Sequence, residues 1–147
     1  MRFENSIEIA CPLEQVFAYI SVQENHPEFI PQNKKSRQLT EGPMREGTVV
    51  QNEARFLGMK MTETFDITEF VPNKVIAKRS HDGSTIETSD RFEFEAISEH
   101  RTKVTLIVAA NPKGMQKLFF ALTRPLLKRS FPDILNRLKQ VLESQKP

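Results

Sequence analysis

The chain has 147 residues, of which 38% are hydrophobic and 27% charged, with a net charge of +2. That length can bury a real core as one domain, 1–147, and the composition excludes a disordered chain. The small net charge gives no ground for a nucleic-acid partner, and a lone cysteine, Cys11, excludes an internal disulfide. Arg2 and Glu4 interrupt any apolar leader, and the longest apolar run, 104–110, is far too short to span a bilayer. A cytoplasmic location is the expectation.

The chain opens with an alternating strand, "RFENSIEIA", that puts Phe3, Ile7 and Ile9 on one face. Pro12 then starts a short helix, because its fixed φ suits a first helical turn, and Val16, Phe17 and Ile20 give that helix an apolar stripe. "NHPEFIP" follows as a second, very short helix or turn. From Lys34 the pattern has period two. "KKSRQLT" carries charge on both faces and reads as an edge strand. "TVVQNEARF" and "MKMTETFDITEF" join at Leu57-Gly58 as a hairpin. "VIAKRS", the stretch 85–96 and "KVTLIVAA" continue an antiparallel meander, with Asp82-Gly83 a strong turn signal.

The last third is helical. Met115, Leu118, Phe119, Leu122, Leu126, Phe131, Ile134, Leu135, Leu138, Val141 and Leu142 recur at helical spacing. Pro125 and Pro132 fall inside it, so a kink or break is expected, with Ser130 and Asp133 marking a fresh start. The segment 114–131 sets Met115, Leu118, Phe119, Leu122 and Leu126 against Lys117, Arg124, Lys128 and Arg129. Most of that apolar stripe is expected to close the sheet, its front part acting as a lid, which leaves a solvated basic face and makes membrane contact the weaker reading.

This order, carried by "IEIACPLEQVFAYIS", "NHPEFIP", "PNKVIAKRSHDG" and "ILNRLKQVLE", resembles the START-type, birch-pollen-allergen-like helix-grip superfamily (SRPBCC) of α+β proteins. Its bacterial polyketide cyclase/dehydrase branch is the most similar. The resemblance implies a curved antiparallel sheet of about seven strands wrapped around a long C-terminal helix, with two short helices after the first strand. It also implies a cavity between sheet and helix. Relatives bind lipids, quinones, polyketides or hormones there, and a minority catalyse reactions on them. Where they often carry Trp, this chain has Phe29, which alters one wall.

Period two on 85–96 assigns Thr85, Glu87, Ser89, Arg91, Glu93 and Glu95 to a wet face. Ile86, Thr88, Asp90, Phe92, Phe94 and Ala96 then share the dry one. Asp90 is the anomaly, since a buried carboxylate needs water, a partner or a proton. A two-residue turn at Leu57-Gly58 pairs Asn52 with Glu63 on an otherwise apolar face. A tight turn at 81–84 opposes Val75 to Asp90, Ala77 to Thr88 and Arg79 to Ile86. Asn52, Glu63, Arg79, Thr88 and Asp90 would thus line one concave pocket, and a single bulge would turn part of the set outward. Phe17, Phe56, Met61, Phe65, Phe92 and Phe119 would supply walls, and Tyr19 would offer a hydroxyl or a core ring with a wet tip.

The first functional expectation is a binding protein for a small apolar ligand such as a lipid, polyketide or aromatic metabolite. Arg79 would meet a carboxylate, phenolate or enolate. The alternative is a cyclase/dehydratase-type lyase or isomerase using Glu63 or Asp90 as acid or base. A third reading is a lipid- or quinone-handling module that docks on a membrane or protein through the basic helix. Cys11 reads as a structural thiol, and His26, His81 and His100 read as surface turn residues without metal-ligand spacing. No cofactor motif is visible, and a monomer or homodimer is the expectation.

Overall fold

The computed structural model describes residues 1–84 and 86–145, so the expectation for Thr85 lies outside the described residues. Strand β1, Arg2–Ile9, alternates as expected, with Glu4, Ser6 and Glu8 exposed and Phe3, Ile7 and Ile9 turned inward. Helix α1, Leu13–Ser21, begins after Pro12 and buries Val16, Phe17 and Ile20. A 3₁₀ helix, Gln23–Glu28, follows. Then come β2 (Asn33–Gln38), β3 (Val49–Phe56), β4 (Met59–Val71), β5 (Val75–Ser80), β6 (Glu87–Ser98) and β7 (Arg101–Asn111). They form one antiparallel sheet in the order β1-β7-β6-β5-β4-β3-β2, a meander to which β1 adds beside β7. The charged β2 is an edge, as its two-faced polarity implies. Curled around the long helix α2, Met115–Ser144, the sheet makes an α+β helix-grip fold.

Two expectations about α2 are corrected. The helix is not broken at Pro125 or Pro132, and Ser130 lies inside it rather than at a new start. Both prolines sit on the exposed face. The carbonyls they leave without an amide partner belong to Ala121 and Lys128, which are also exposed, so water can serve them.

The second correction concerns the apolar stripe. The core takes Phe131, Leu135, Leu138 and Leu142 from α2 and nothing before Phe131. Continued toward the N-terminus at helical spacing, that buried line passes through Leu127, Thr123 and Phe120. Met115, Leu118, Leu122 and Leu126 fall beside the line and face solvent, so they do not close the sheet. The remaining core joins Ile9, Val16, Ile20, Phe29, Val50, Val104 and their neighbours to these α2 residues. No helix among the described residues is long and apolar enough to cross a membrane.

Candidate functional site

The Leu57-Gly58 hairpin has the register its sequence implies. Phe56 opposes Met59, Ala54 opposes Met61, Asn52 opposes Glu63 and Val50 opposes Phe65. The β5–β6 hairpin does not. Val75 opposes Glu93, Lys78 opposes Asp90 and Arg79 opposes Ser89, a shift of three positions. Because a strand alternates faces, an odd shift exchanges them. Arg79 is exposed, and Lys78 is the cation turned inward, with only 5% of its side chain accessible. The cause lies just after β5. His81 continues beside β4, donating its backbone N–H to the Thr64 carbonyl and placing Nδ1 2.8 Å from Asp66 Oδ1. The turn at 81–84 therefore closes on itself instead of returning the chain at once.

Lys78 and Asp90 form the centre of the site. Lys78 Nζ stands 3.6 Å from Asp90 Oδ2 and 4.8 Å from the centre of the Phe65 ring. Burial pushes the Asp90 carboxyl above its ordinary range, and Lys78 only partly opposes this. Glu63 is raised in the same way by burial and by repulsion from Asp90, against the pull of Lys78. One inward cation thus faces two carboxylates that each resist ionisation. Asp90 keeps 23% of its side chain accessible. Phe56, Met61, Glu63 and Thr88 are inward-facing but only half-buried, so water reaches this surface beneath the front half of α2.

The sequence reading missed the other half of the site, which comes from the 3₁₀ helix. Gln23 is buried and donates from Nε2 to Asn52 Oδ1 at 2.9 Å. His26 is 3% exposed, which corrects its reading as a surface residue. Its Nε2 lies 2.8 Å from the Ile20 carbonyl, which can only accept, so that nitrogen carries the proton. Burial first, and the Lys78 charge second, hold the ring neutral, with its pKa pushed down to about 3. Its Nδ1 is therefore a bare acceptor, buried without a hydrogen-bond partner among the described residues. No feature of "NHPE" announces this; the tuck of the 3₁₀ helix creates it.

His26, Gln23, Ile20, Lys78, Asp90, Phe92, Ile67 and Ile76 enclose a small void together with Met44 of the β2–β3 loop. It offers about 10 Å³ to the centre of a water, roughly one molecule. No residue of α2 lines this void, so it lies beside the sheet–helix groove and not within it.

The expected aromatic walls divide between core and groove. Phe17 packs on Phe70 and Phe94 in the core, Phe92 and Phe65 back the charged pair, and Phe56 meets Phe119 at 6.2 Å across the groove. Phe29, at the altered wall, is fully buried against Tyr19, His26 and Phe92. Tyr19 directs its hydroxyl outward to Glu28 at 2.7 Å, on the exposed side and away from the cluster. Cys11 is buried with Sγ 3.4 Å from the Leu142 carbonyl, in keeping with a structural thiol.

The architecture is widely shared. It matches the Zhui aromatase/cyclase of a Streptomyces species with a TM-score of 0.80 at 18% identity, over 97% of this chain and 93% of that one. A START superfamily protein of Mycobacterium smegmatis matches at 0.78 and 14% identity, over 99% of both chains. A Thermus thermophilus protein matches at 0.81 and 14%, over the whole of both. Such identities speak for the fold alone, and no functionally curated protein matches the sequence. The family assignment comes from the sequence itself: residues 1–143 match one family model, and the chain belongs to the polyketide cyclase / dehydrase and lipid transport family.

Proposed function

We propose that this protein binds a small, largely apolar ligand whose polar end is a hydroxyl or phenol. The polar end sits at Asp90, Glu63 and His26, and the apolar body lies along the groove under the front of α2. One observation carries the reading. The buried acceptor His26 Nδ1 has no hydrogen-bond partner among the described residues, and His26 lines a void bounded also by Asp90, beside two carboxylates that share Lys78 as counter-cation. Such a set wants hydrogen-bond donors. A carboxylate ligand would meet Lys78 already outnumbered, so the ligand class differs from the one an inward Arg79 would have favoured.

The void admits one water, so a ligand must also displace a wall. Met44, on the β2–β3 loop, is the lining residue outside regular secondary structure and is the wall that yields. Thermal shift with a size-graded panel of phenols and their matching carboxylic acids tests this. Stabilisation by phenols, lost in Asp90→Asn and Glu63→Gln, is expected; stabilisation by the acids alone overturns it.

The raised carboxyls of Glu63 and Asp90 favour a second reading, acid–base catalysis of cyclase/dehydratase type on the same ligand. It predicts turnover of a polyketide-like substrate whose kcat, read at saturating substrate, Asp90→Asn or Glu63→Gln removes. Turnover that survives both substitutions refutes it.

A further inference from the structure

We propose that the front of α2 and the tip of the β3–β4 hairpin form one docking face for an anionic lipid bilayer. Met115, Leu118, Leu122 and Leu126 recur at spacings of three and four, so they share one side of the helix. They are 83%, 58%, 73% and 47% exposed, a continuous apolar stripe turned to solvent. The hairpin tip lies alongside, joined by the Phe56–Phe119 ring contact, and shows Leu57 and Met59 at 56% and 50% exposure. Scattered apolar residues on a surface are ordinary, but six gathered at one end of a groove are not.

The turn adds an independent sign. Leu57 and Gly58 have φ of +52° and +79°, the two-residue hairpin turn that asks for positive φ at both positions. Asn or Asp fits there without strain, whereas a branched aliphatic residue is strained and here gains no burial. An exposed leucine in a position that disfavours it points to an apolar surface met outside this chain.

Charge selects the occupant. Residues 112–132 carry five basic side chains and no acidic one, and residues 54–60 carry two more and none. Lys113 pairs with Glu87, but Arg55, Lys60, Lys117, Arg124, Lys128 and Arg129 enter no ion pair among the described residues. Apolar side chains flanked by unpaired cations match a negatively charged bilayer surface, whose acyl boundary takes the leucines and whose headgroups take the cations. Docking of this kind needs no occupied cavity, so it stands or falls separately from the ligand reading.

Co-sedimentation with vesicles is the test. The full chain should sediment with mixed phosphatidylcholine and phosphatidylglycerol, weakly with phosphatidylcholine alone, and less as salt is raised. The double substitution Leu118→Asp with Leu122→Asp should lower the partition coefficient by about tenfold or more without changing the circular dichroism spectrum. Lys128→Glu with Arg129→Glu, both exposed, should weaken anionic binding at low salt and serves if the first variant misfolds. Three results overturn the inference: no sedimentation with anionic vesicles, equal partition of wild type and both variants, or a wild-type dimer that the leucine substitutions dissociate.

Discussion

His26 makes the protein acid-labile in a calculable way. In the unfolded chain its imidazole titrates at the ordinary 6.5, whereas in the fold burial and Lys78 hold it down at about 3. Between those values the unfolded state takes up a proton that the native state refuses, so stability falls as pH falls. Integrating from neutrality to about pH 5 gives a loss of about 2 kcal/mol, continuing toward pH 3. The raised carboxyls of Asp90 and Glu63 act with the opposite sign. Their native forms bind protons more readily than the unfolded chain does, so they add stability as pH falls. A matched variant removes that background. His26→Gln keeps an amide able to donate to the Ile20 carbonyl but does not titrate. Urea unfolding of both proteins at about pH 7 and about pH 5 should show the wild type losing about 2 kcal/mol more than the variant. Parallel losses in the two proteins would refute the buried neutral imidazole.

Other consequences follow from the same geometry. Lys78→Met leaves two carboxylates without their counter-cation and should destabilise by about 3–5 kcal/mol near neutrality. Because both carboxyls already titrate high, that deficit should shrink at lower pH, which urea midpoints would read. The two halves of α2 should respond unequally: Leu135→Ala should cost about 2–5 kcal/mol, and Leu122→Ala within about 0.5. Native-state hydrogen exchange should likewise find the amides of 115–127 opening before those of 131–144. Replacing Leu57 by Asn should raise stability by about 1 kcal/mol through relief of the positive-φ strain, measured by thermal melting.

The fold was legible because its signals are local and repeated. Alternation along β1, β3 and β4 and the Leu57-Gly58 turn determine which faces are buried, and the observed register of that hairpin agrees pair by pair. Proline spacing around 27–31 places a short element after α1, and the apolar period from Phe131 onward marks the anchored half of α2.

The site was only partly legible, because it depends on parity and on a tuck between elements. Asp90 announced itself as a carboxylate on a dry face, and Asn52 and Glu63 as cross-strand neighbours. The cation did not, since "VIAKRS" offers Lys78 and Arg79 on opposite faces and the turn after β5 decides between them. A charge-complementary pairing of Lys78 with Asp90 was the one available clue. Gln23 and His26 had no such signal, because their burial comes from a 3₁₀ helix with no periodicity of its own. The exposed stripe of α2 was obscured for a related reason. Two apolar lines, one toward the core and one beside it, overlap in a single helical sequence, and only the packing separates them.

The most direct test of the central claim is the nitrogen NMR spectrum of histidine-labelled protein during titration with the phenol panel. A bound phenol should hydrogen-bond to His26 Nδ1 and shift its resonance toward that of a partnered acceptor, while the matching carboxylic acid leaves it unmoved. A Nδ1 signal untouched by every phenol, or moved equally by the acids, would contradict the proposed site.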